Sequence, residues 1–426
     1  MDYNKIWKFA YEAYKGNGGF GDGSYIDKYP RESDEKYKTR KSIAYYTNLF
    51  SPNVNRYIGY IFKNRPIRTS KDKLILTIFD DCDNAGNSID VFMASFAKDA
   101  KVRGVGLVLV DMPKNVPTNF QDQLTKRALP YLTPIAPEKI EQYKVDPFGN
   151  FEFISFYDEL DASTPQKTEK KPIRRFYDTT QWIIYDEKDN IIEQGEHNLG
   201  ICPIIAFSET GKFPDIGEFT QVAAIAKRHY NLRSELDEIL RAQTFSILTI
   251  QADNPTDFEI KLATDNAIIY GKEMTRPAFI APEAGPANTY QEEIQRLEDL
   301  IDKITYNFKT NQAQESGIAL EMKFQGLNSS LANFAMRLEN FEARIFDIVC
   351  RYLGIQNDIT IQYHKDFSIT DIQKEFATLE TFKELGYTNK TYERLKLLKI
   401  ISNDLGSIDI EDMDKIRQEI EDGLKE

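Results

Sequence analysis

The sequence predicts a mainly helical α+β protein built from more than one packed unit. Three observations carry that prediction. Apolar residues recur at three–four spacing through long stretches of the second half, which is the seam pattern of packed helices. Short alternating runs separated by turn residues fill about 151–207, the pattern of antiparallel strands. At 426 residues, with 41 % hydrophobic and 28 % charged, the chain is globular and too long for one ordinary core. Aromatics reach 12 %, which predicts large buried or subunit-facing surfaces.

The first half reads as helices around one buried strand. Ser51-Pro52 offers a capping hydroxyl and a first-turn proline. Val54, Tyr57, Ile58, Ile61 and Phe62 then follow at helical spacing until Pro66. Ser88 is placed to cap a helix carrying Ile89, Phe92, Met93 and Phe96, ending at Gly104. Val105–Val110 is a continuous apolar run and reads as a buried strand stopped by Asp111-Met112-Pro113.

Phe151–Phe156, Ile173–Tyr177, Trp182–Tyr185 and Ile191–Glu193 are the strand-like runs, with Asp186–Asn190 as a hairpin loop. Asp161–Lys171 is rich in Ser, Thr, Pro and Lys and reads as a mobile loop.

From Gly217 a long helix carries Val222, Ile225, His229, Leu232, Leu236, Ile239 and Gln243 on one face. A proline-rich irregular stretch follows, in which Ala267–Tyr270 and Ala278–Ile280 read as strands. A second helix carries Ile294, Leu297, Ile301, Ile304 and Phe308, and a polar loop, Lys309–Gly317, leads to the short apolar segment Ile318–Phe324. A third helix carries Leu331, Phe334, Leu338, Phe341, Ile345, Ile348 and Tyr352, and Gly354 ends it. These seams fit packing within one chain or between copies. The remainder, about 366–426, reads as helical and strongly acidic.

The formal charge is −13 and the isoelectric point near 5.0. Gripping phosphates over a broad area requires a basic face, so the balance excludes a conventional DNA binder. A protein past which DNA slides remains compatible with it. Cys82, Cys202 and Cys350 are odd in number and far apart, which fits reduced thiols and neither a disulfide framework nor a zinc knuckle. Met1–Lys5 lacks the apolar run of a signal peptide, and no stretch approaches about 18 apolar residues. The expectation is a soluble chain that stays where it is made.

Catalytic patterns are sparse. Asp80-Asp81-Cys82-Asp83, with Asp111 beyond the buried strand, is the densest acidic group. A metal-dependent nuclease or phosphatase needs convergent carboxylates of this kind. Asn84 and Gly86 beside it point to ordinary loop chemistry instead. Gly104 and Gly106 precede their strand, whereas a phosphate cradle needs glycines after the strand and before a helix. His197, His229 and His364 are scattered, and His229 lies on an apolar seam as a hydrogen-bonded core histidine would. No enzyme, metal or cofactor is expected.

Several segments together resemble tailed-phage portal proteins, the head-to-tail connector family. They are Tyr45–Asn48 with Val54–Lys63, then Gly104–Pro113 with Leu129–Leu132, and above all Glu315–Phe324 running straight into the third helix. In portals the corresponding Ser-Gly-x-Ala-Leu run follows the tunnel loop and precedes the long wing helix. Order and spacing cover nearly the whole chain, and the acidic end matches least.

The resemblance implies a portal fold. An α+β wing spans 1–215, stem helices 216–248 and 290–309, an α/β clip 249–289, a tunnel-loop region 310–325, a long wing helix 326–362 and a helical crown 363–426. It implies a homo-oligomeric ring, usually a dodecamer, at one capsid vertex of the virion, assembled in the host cytoplasm. Double-stranded DNA would pass through it during packaging and ejection. The terminase large subunit, a head-tail adaptor, and the major capsid and scaffold proteins would be partners, with no membrane involved. Lys309, Asn311, Gln312, Gln314, Glu315 and Lys323 would belong to the tunnel loop. Asn311, Gln312 and Gln314 would touch a moving duplex without trapping it. Lys309 and Lys323 would be isolated phosphate contacts, or simply solvated or in intersubunit ion pairs. Asp253, Lys261, Lys272 and Arg276 would lie on the docking surface of the clip. Ring closure would also give the helical seams a use between neighbouring subunits.

Overall fold

A computed structural model describes residues 1–114, 117, 120–125, 127–244, 247–249, 251, 275–276, 278–280, 285–308, 317–367, 372–386, 389–404 and 410–423. The chain forms two compact units. Unit 1 comprises Met1–Tyr11, Ser51–Gln221 and Ile304–Glu426, and unit 2 comprises Glu12–Phe50 and Val222–Lys303. The fold is mixed α and β, as expected, and the alternating runs and helical seams lie where the spacing places them.

Helix α1 (Tyr3–Lys15) is followed by α2 (Asp34–Ile43), whose N-cap Ser33 accepts a hydrogen bond from the Lys36 amide at 3.2 Å. Helix α3 (Phe50–Ile61) begins one residue before the expected cap. Asn48 Oδ1, rather than Ser51, accepts from the Phe50 amide at 3.2 Å, and Ser51 lies inside the first turn. Strand β1 (Ile67–Thr69) and helix α4 (Lys73–Asp80) come next, with Asp72 capping at Leu74 N, 2.8 Å. Helix α5 (Ile89–Arg103) starts at the expected Ser88, although that hydroxyl makes no capping bond.

Strand β2 (Val105–Asp111) is the centre of unit 1. It pairs antiparallel with β3 (Tyr131–Ile135), reached through helix α6 (Phe120–Thr125), and with a strand from much later in the chain. Between them lies a five-stranded meander of β4 (Ile140–Val145), β5 (Phe151–Asp161), β6 (Lys170–Asp178), β7 (Gln181–Tyr185) and β8 (Ile191–Glu196). Strand β9 (Ile204–Ser208) then returns to the edge of β2. Strands β5 and β6 run further into the expected mobile loop than the composition suggested. That loop is a closed hairpin whose tip is tied by a Thr164–Lys167 bridge.

The continuous apolar run of β2 is explained by burial on both sides. Leu107 and Leu109 join Trp7, Ile135, Ile154, Phe156 and Tyr177 in one core cluster. Phe96 of α5 stacks on Phe341 at 4.7 Å and meets Phe207 edge-on, and a Cβ on Gly106 would stand 2.6 Å from its ring. Gly104 ends α5 with φ 81°, and its missing side chain admits the backbone of Gly217, whose N would lie 1.8 Å from a Cβ there. The expected helix-to-strand turn is therefore also a backbone crossing.

In unit 2, helix α7 (Val222–Thr244) and helix α8 (Gly285–Ile304) pack through Leu232, Leu236, Ala287, Ile294 and Leu297, with β10 (Ile247–Thr249) paired to β11 (Ala278–Ile280). Buried Arg40 is bidentate to Glu32 at 2.8 and 2.7 Å and also donates to Ser234 Oγ at 3.0 Å.

Helix α9 (Gly317–Leu353) is a single rod in unit 1. The separate apolar segment and third helix of the sequence reading are one helix, ended by Gly354 at φ 64°. Strand β12 (Thr360–Gln362), which the sequence did not reveal, pairs with β1. Helices α10 (Ile372–Glu384), α11 (Lys390–Asp404) and α12 (Ile410–Gly423) make up the helical end. The apolar seams of α7, α8 and α9 are buried within the chain, one of the two packings that their spacing allows. Residues 267–270 lie outside the described residues. Among the described residues no helix is long and apolar enough to cross a membrane.

Gly104→Ala must push backbone apart and strain a left-handed residue, a cost of about 3 kcal/mol. Gly86 has φ 90° but nothing within 4 Å of a Cβ, so Gly86→Ala is expected to cost only about 1 kcal/mol. Denaturant midpoints of the two variants check the difference.

Candidate functional site

One centre of buried charge in unit 1 surrounds Lys101. The spacing of α5 puts residue 101 on the stripe of Met93 and Ala97, so its ammonium enters the core with 3 % of the side chain exposed. Burial alone would lower its pKa. Tyr57, Glu209 and Glu218 reverse that and hold the group firmly protonated. Glu209 Oε1 lies at 3.1 Å and Glu218 Oε2 at 3.5 Å, while the rings of Phe219, Tyr57 and Phe334 stand at 4.3, 4.6 and 5.2 Å. Tyr306 donates to Glu218 at 2.7 Å.

These groups border an open cleft of about 350 Å³, completed by Ser329, Ser330, Asn333 and Arg337 of α9. Arg337 has no carboxylate partner among the described residues. The sequence reading missed Lys101 and the cleft, although extending the α5 stripe by one more turn reaches that lysine.

A second buried ion cluster ties β1 to α9. Arg68 donates to both oxygens of fully buried Glu342 and to Asp90 at 2.5 Å, and the Tyr363 hydroxyl donates to Glu342 at 2.6 Å. Every member has a partner, which is what a charge in a core requires.

The acidic turn after α4 is occupied by its own backbone. Asp81 accepts from Gly86 N at 2.9 Å and pairs with Arg127 at 2.9 Å. Asp83 accepts from Ala85 N, Asn87 N and Asn87 Nδ2. Partial burial opposes ionisation there, but those bonds hold the carboxyl below its usual range. Asp111 stands apart, raised by burial, with Met112 N, Arg175, Tyr131 and His197 around it. Among the described residues no group of three or more His, Cys, Asp or Glu could hold a metal ion. The three cysteines are buried free thiols, and burial pushes Cys350 up to about 11 and Cys202 up to about 12.

Lys309, Asn311, Gln312, Gln314, Glu315, Asp253, Lys261 and Lys272 lie outside the described residues. Lys323 belongs to α9, and Arg276 is exposed just before β11. His229 is buried on the α7 seam and bonds Glu298 Oε1 at 3.1 Å, as its sequence position suggested.

The geometry defines an α+β protein with a mainly helical unit and a charge-pinned α/β unit. No protein-family model matches the chain, and no curated protein matches it. Among solved structures it is similar to the neck of an empty GTA particle computed with C6 symmetry. That match covers 82 % of this chain and 90 % of the other, at 11 % identity and a TM-score of 0.46. The neck of a native GTA particle computed with C12 symmetry is similar over 87 % and 93 %, at 10 % identity and a TM-score of 0.44.

Lys101→Met leaves two carboxylates facing apolar rings and should cost about 3 kcal/mol in a denaturant melt. Adding Glu209→Gln should recover part of that loss. Burial lowers the pKa of His229 despite Glu298, so the unfolded chain binds its proton more readily. Stability should therefore be full above about pH 6.5 and fall as pH drops below it. His229→Gln should flatten that slope in melts between pH 7 and pH 5.

Proposed function

We propose that this chain is the subunit of a tailed-phage portal. Identical copies close into a ring at one capsid vertex, through which double-stranded DNA is packaged and ejected. The carrying observation is the order of parts. Glu315–Phe324 is the segment most similar to portals, and its residues from Gly317 on form the first turns of the 37-residue helix α9, which follows the α7–α8 pair in the chain. Helices α7 and α8 are antiparallel, since His229 meets Glu298 while Glu235 bonds Tyr290, eight residues before Glu298. That pair is the proposed stem, the residues between its helices are the clip that docks terminase and adaptor, and 309–316 is the tunnel loop. Charge is consistent with a conduit. Twelve copies at −13 each carry about −156, a field that keeps phosphates sliding.

A non-enzymatic role is part of the proposal, since Asp81 and Asp83 are spent on their own turn. Asp81→Asn with Asp83→Asn should leave ring formation intact, whereas a nuclease or phosphatase would lose its activity. Negative-stain imaging of the purified protein should show particles of hundreds of kilodaltons with a central hole. A compact monomer would sink the proposal. Deleting Gln312–Gln314 should leave rings that assemble but package or retain DNA poorly, and normal packaging would remove the tunnel-loop assignment.

A further inference from the structure

The turn that follows α1, in unit 2, reads Gly16-Asn17-Gly18-Gly19, and Asn17 is the one asparagine of the chain followed by glycine. Asn17 is exposed, and its side chain makes no capping bond to the short 3-10 helix Gly18–Phe20. Among the described residues neither its carboxamide nor the Gly18 amide is held in a hydrogen bond. The Asn17 backbone, at φ −115° and ψ −165°, is turned past the strand region. That rotation carries the Gly18 nitrogen toward the side-chain carbonyl carbon, the approach that closes a five-membered imide.

Position 18 must be glycine for the fold. Its φ of 54° is left-handed, and the Glu12 carboxylate lies where a Cβ would stand. The residue that the turn demands is therefore also the one that leaves its amide nitrogen unshielded. A neighbouring pair supplies the contrast. In Asp22-Gly23, Asp22 Oδ1 accepts from the Ser24 amide at 2.7 Å, and the Ser24 side-chain and amide bonds hold that carboxyl below its usual range. An ionised carboxylate resists attack at its carbon, whereas a neutral carboxamide is open to it. Asn87, before Ser88, is tied by Nδ2 donating to Asp83 at 2.7 Å.

We propose that Asn17 is a site of spontaneous, enzyme-free conversion to aspartate and isoaspartate. The Gly18 nitrogen gives its proton to solvent base and bonds to Asn17 Cγ. The Cγ–Nδ2 bond breaks, and Nδ2 leaves with a proton as ammonia. Water then opens the imide. Cleavage between that nitrogen and Cγ restores the main chain with an aspartate. Cleavage at the main-chain carbonyl leaves isoaspartate, with the chain routed through the former side chain. Either product takes the formal charge from −13 to −14, beside Glu12. Isoaspartate also adds a methylene to a turn whose Asn17 carbonyl accepts from Phe20 and Gly21 at 3.2 and 3.4 Å. That turn seats buried Phe20 against Tyr46 and Tyr25, at 4.4 and 4.9 Å between ring centres. Isoaspartate therefore loosens this corner of unit 2. The inference stands apart from the portal reading.

Full-length protein held in mildly alkaline buffer should lose the Asn17 amide before any other asparagine, read by peptide mass mapping. Isoelectric focusing should show one new acidic band. That band should be absent from Asn17→Gln, whose extra methylene disfavours the ring. Because residue 17 is exposed, Asn17→Gln should keep its denaturant midpoint. The isoaspartate fraction, separated by ion exchange, should unfold at lower denaturant than Asn17→Asp. An Asn17 amide that survives in the folded protein, under conditions that convert it in the unfolded chain, overturns the proposal. So does an acidic band that persists in Asn17→Gln.

Discussion

Unit 1 depends on a single demand, that the Lys101 ammonium be kept charged without water. A buried cation is tolerated only when counter-charges and polarisable faces surround it closely. Two carboxylates and three rings do so here, drawn from α3, the residue after β9, the turn before α7, and α9. Each of those elements is thereby held in place by one charge. Three residues further along α5, the Gly104–Gly217 crossing holds the same neighbourhood by steric exclusion. The segment that leads into α7 and the residues that follow α8 thus share one anchor, because Glu218 also receives the Tyr306 hydroxyl.

Much of the fold was legible because it rests on periodicity. The three–four seams of α7, α8 and α9, the strands of the meander and the stop at Gly354 all appear where spacing puts them. What escaped was set by contacts distant in sequence. Strand β12 is only three residues long and exists because β1, almost 300 residues earlier, supplies its hydrogen-bond partners. The α4–α5 turn, by contrast, read as loop chemistry from Asn84 and Gly86, and Asp81 and Asp83 bond local amides and Arg127 there. At Asp161–Lys171 the polar residues do form a connecting loop, and the strands on either side reach to its ends at Asp161 and Lys170.

The legibility of the site was lower for a physical reason. Spacing tells which face of a helix is buried, not whether that face can hold a charge. Lys101 sits on the buried stripe of α5, and only the arrival of Glu209 and Glu218 from elsewhere makes that position tolerable. Arg68 and Glu342 follow the same logic across 274 residues of chain. Both cases are long-range compensations, which a local pattern does not encode.

The filled seams change where contacts between copies must come from. A helix pair that satisfies its own apolar stripes offers neighbours mainly polar surface, so association through α7 and α8 would rest on screened charge. Apolar contact must then come from features that the fold leaves exposed at some cost.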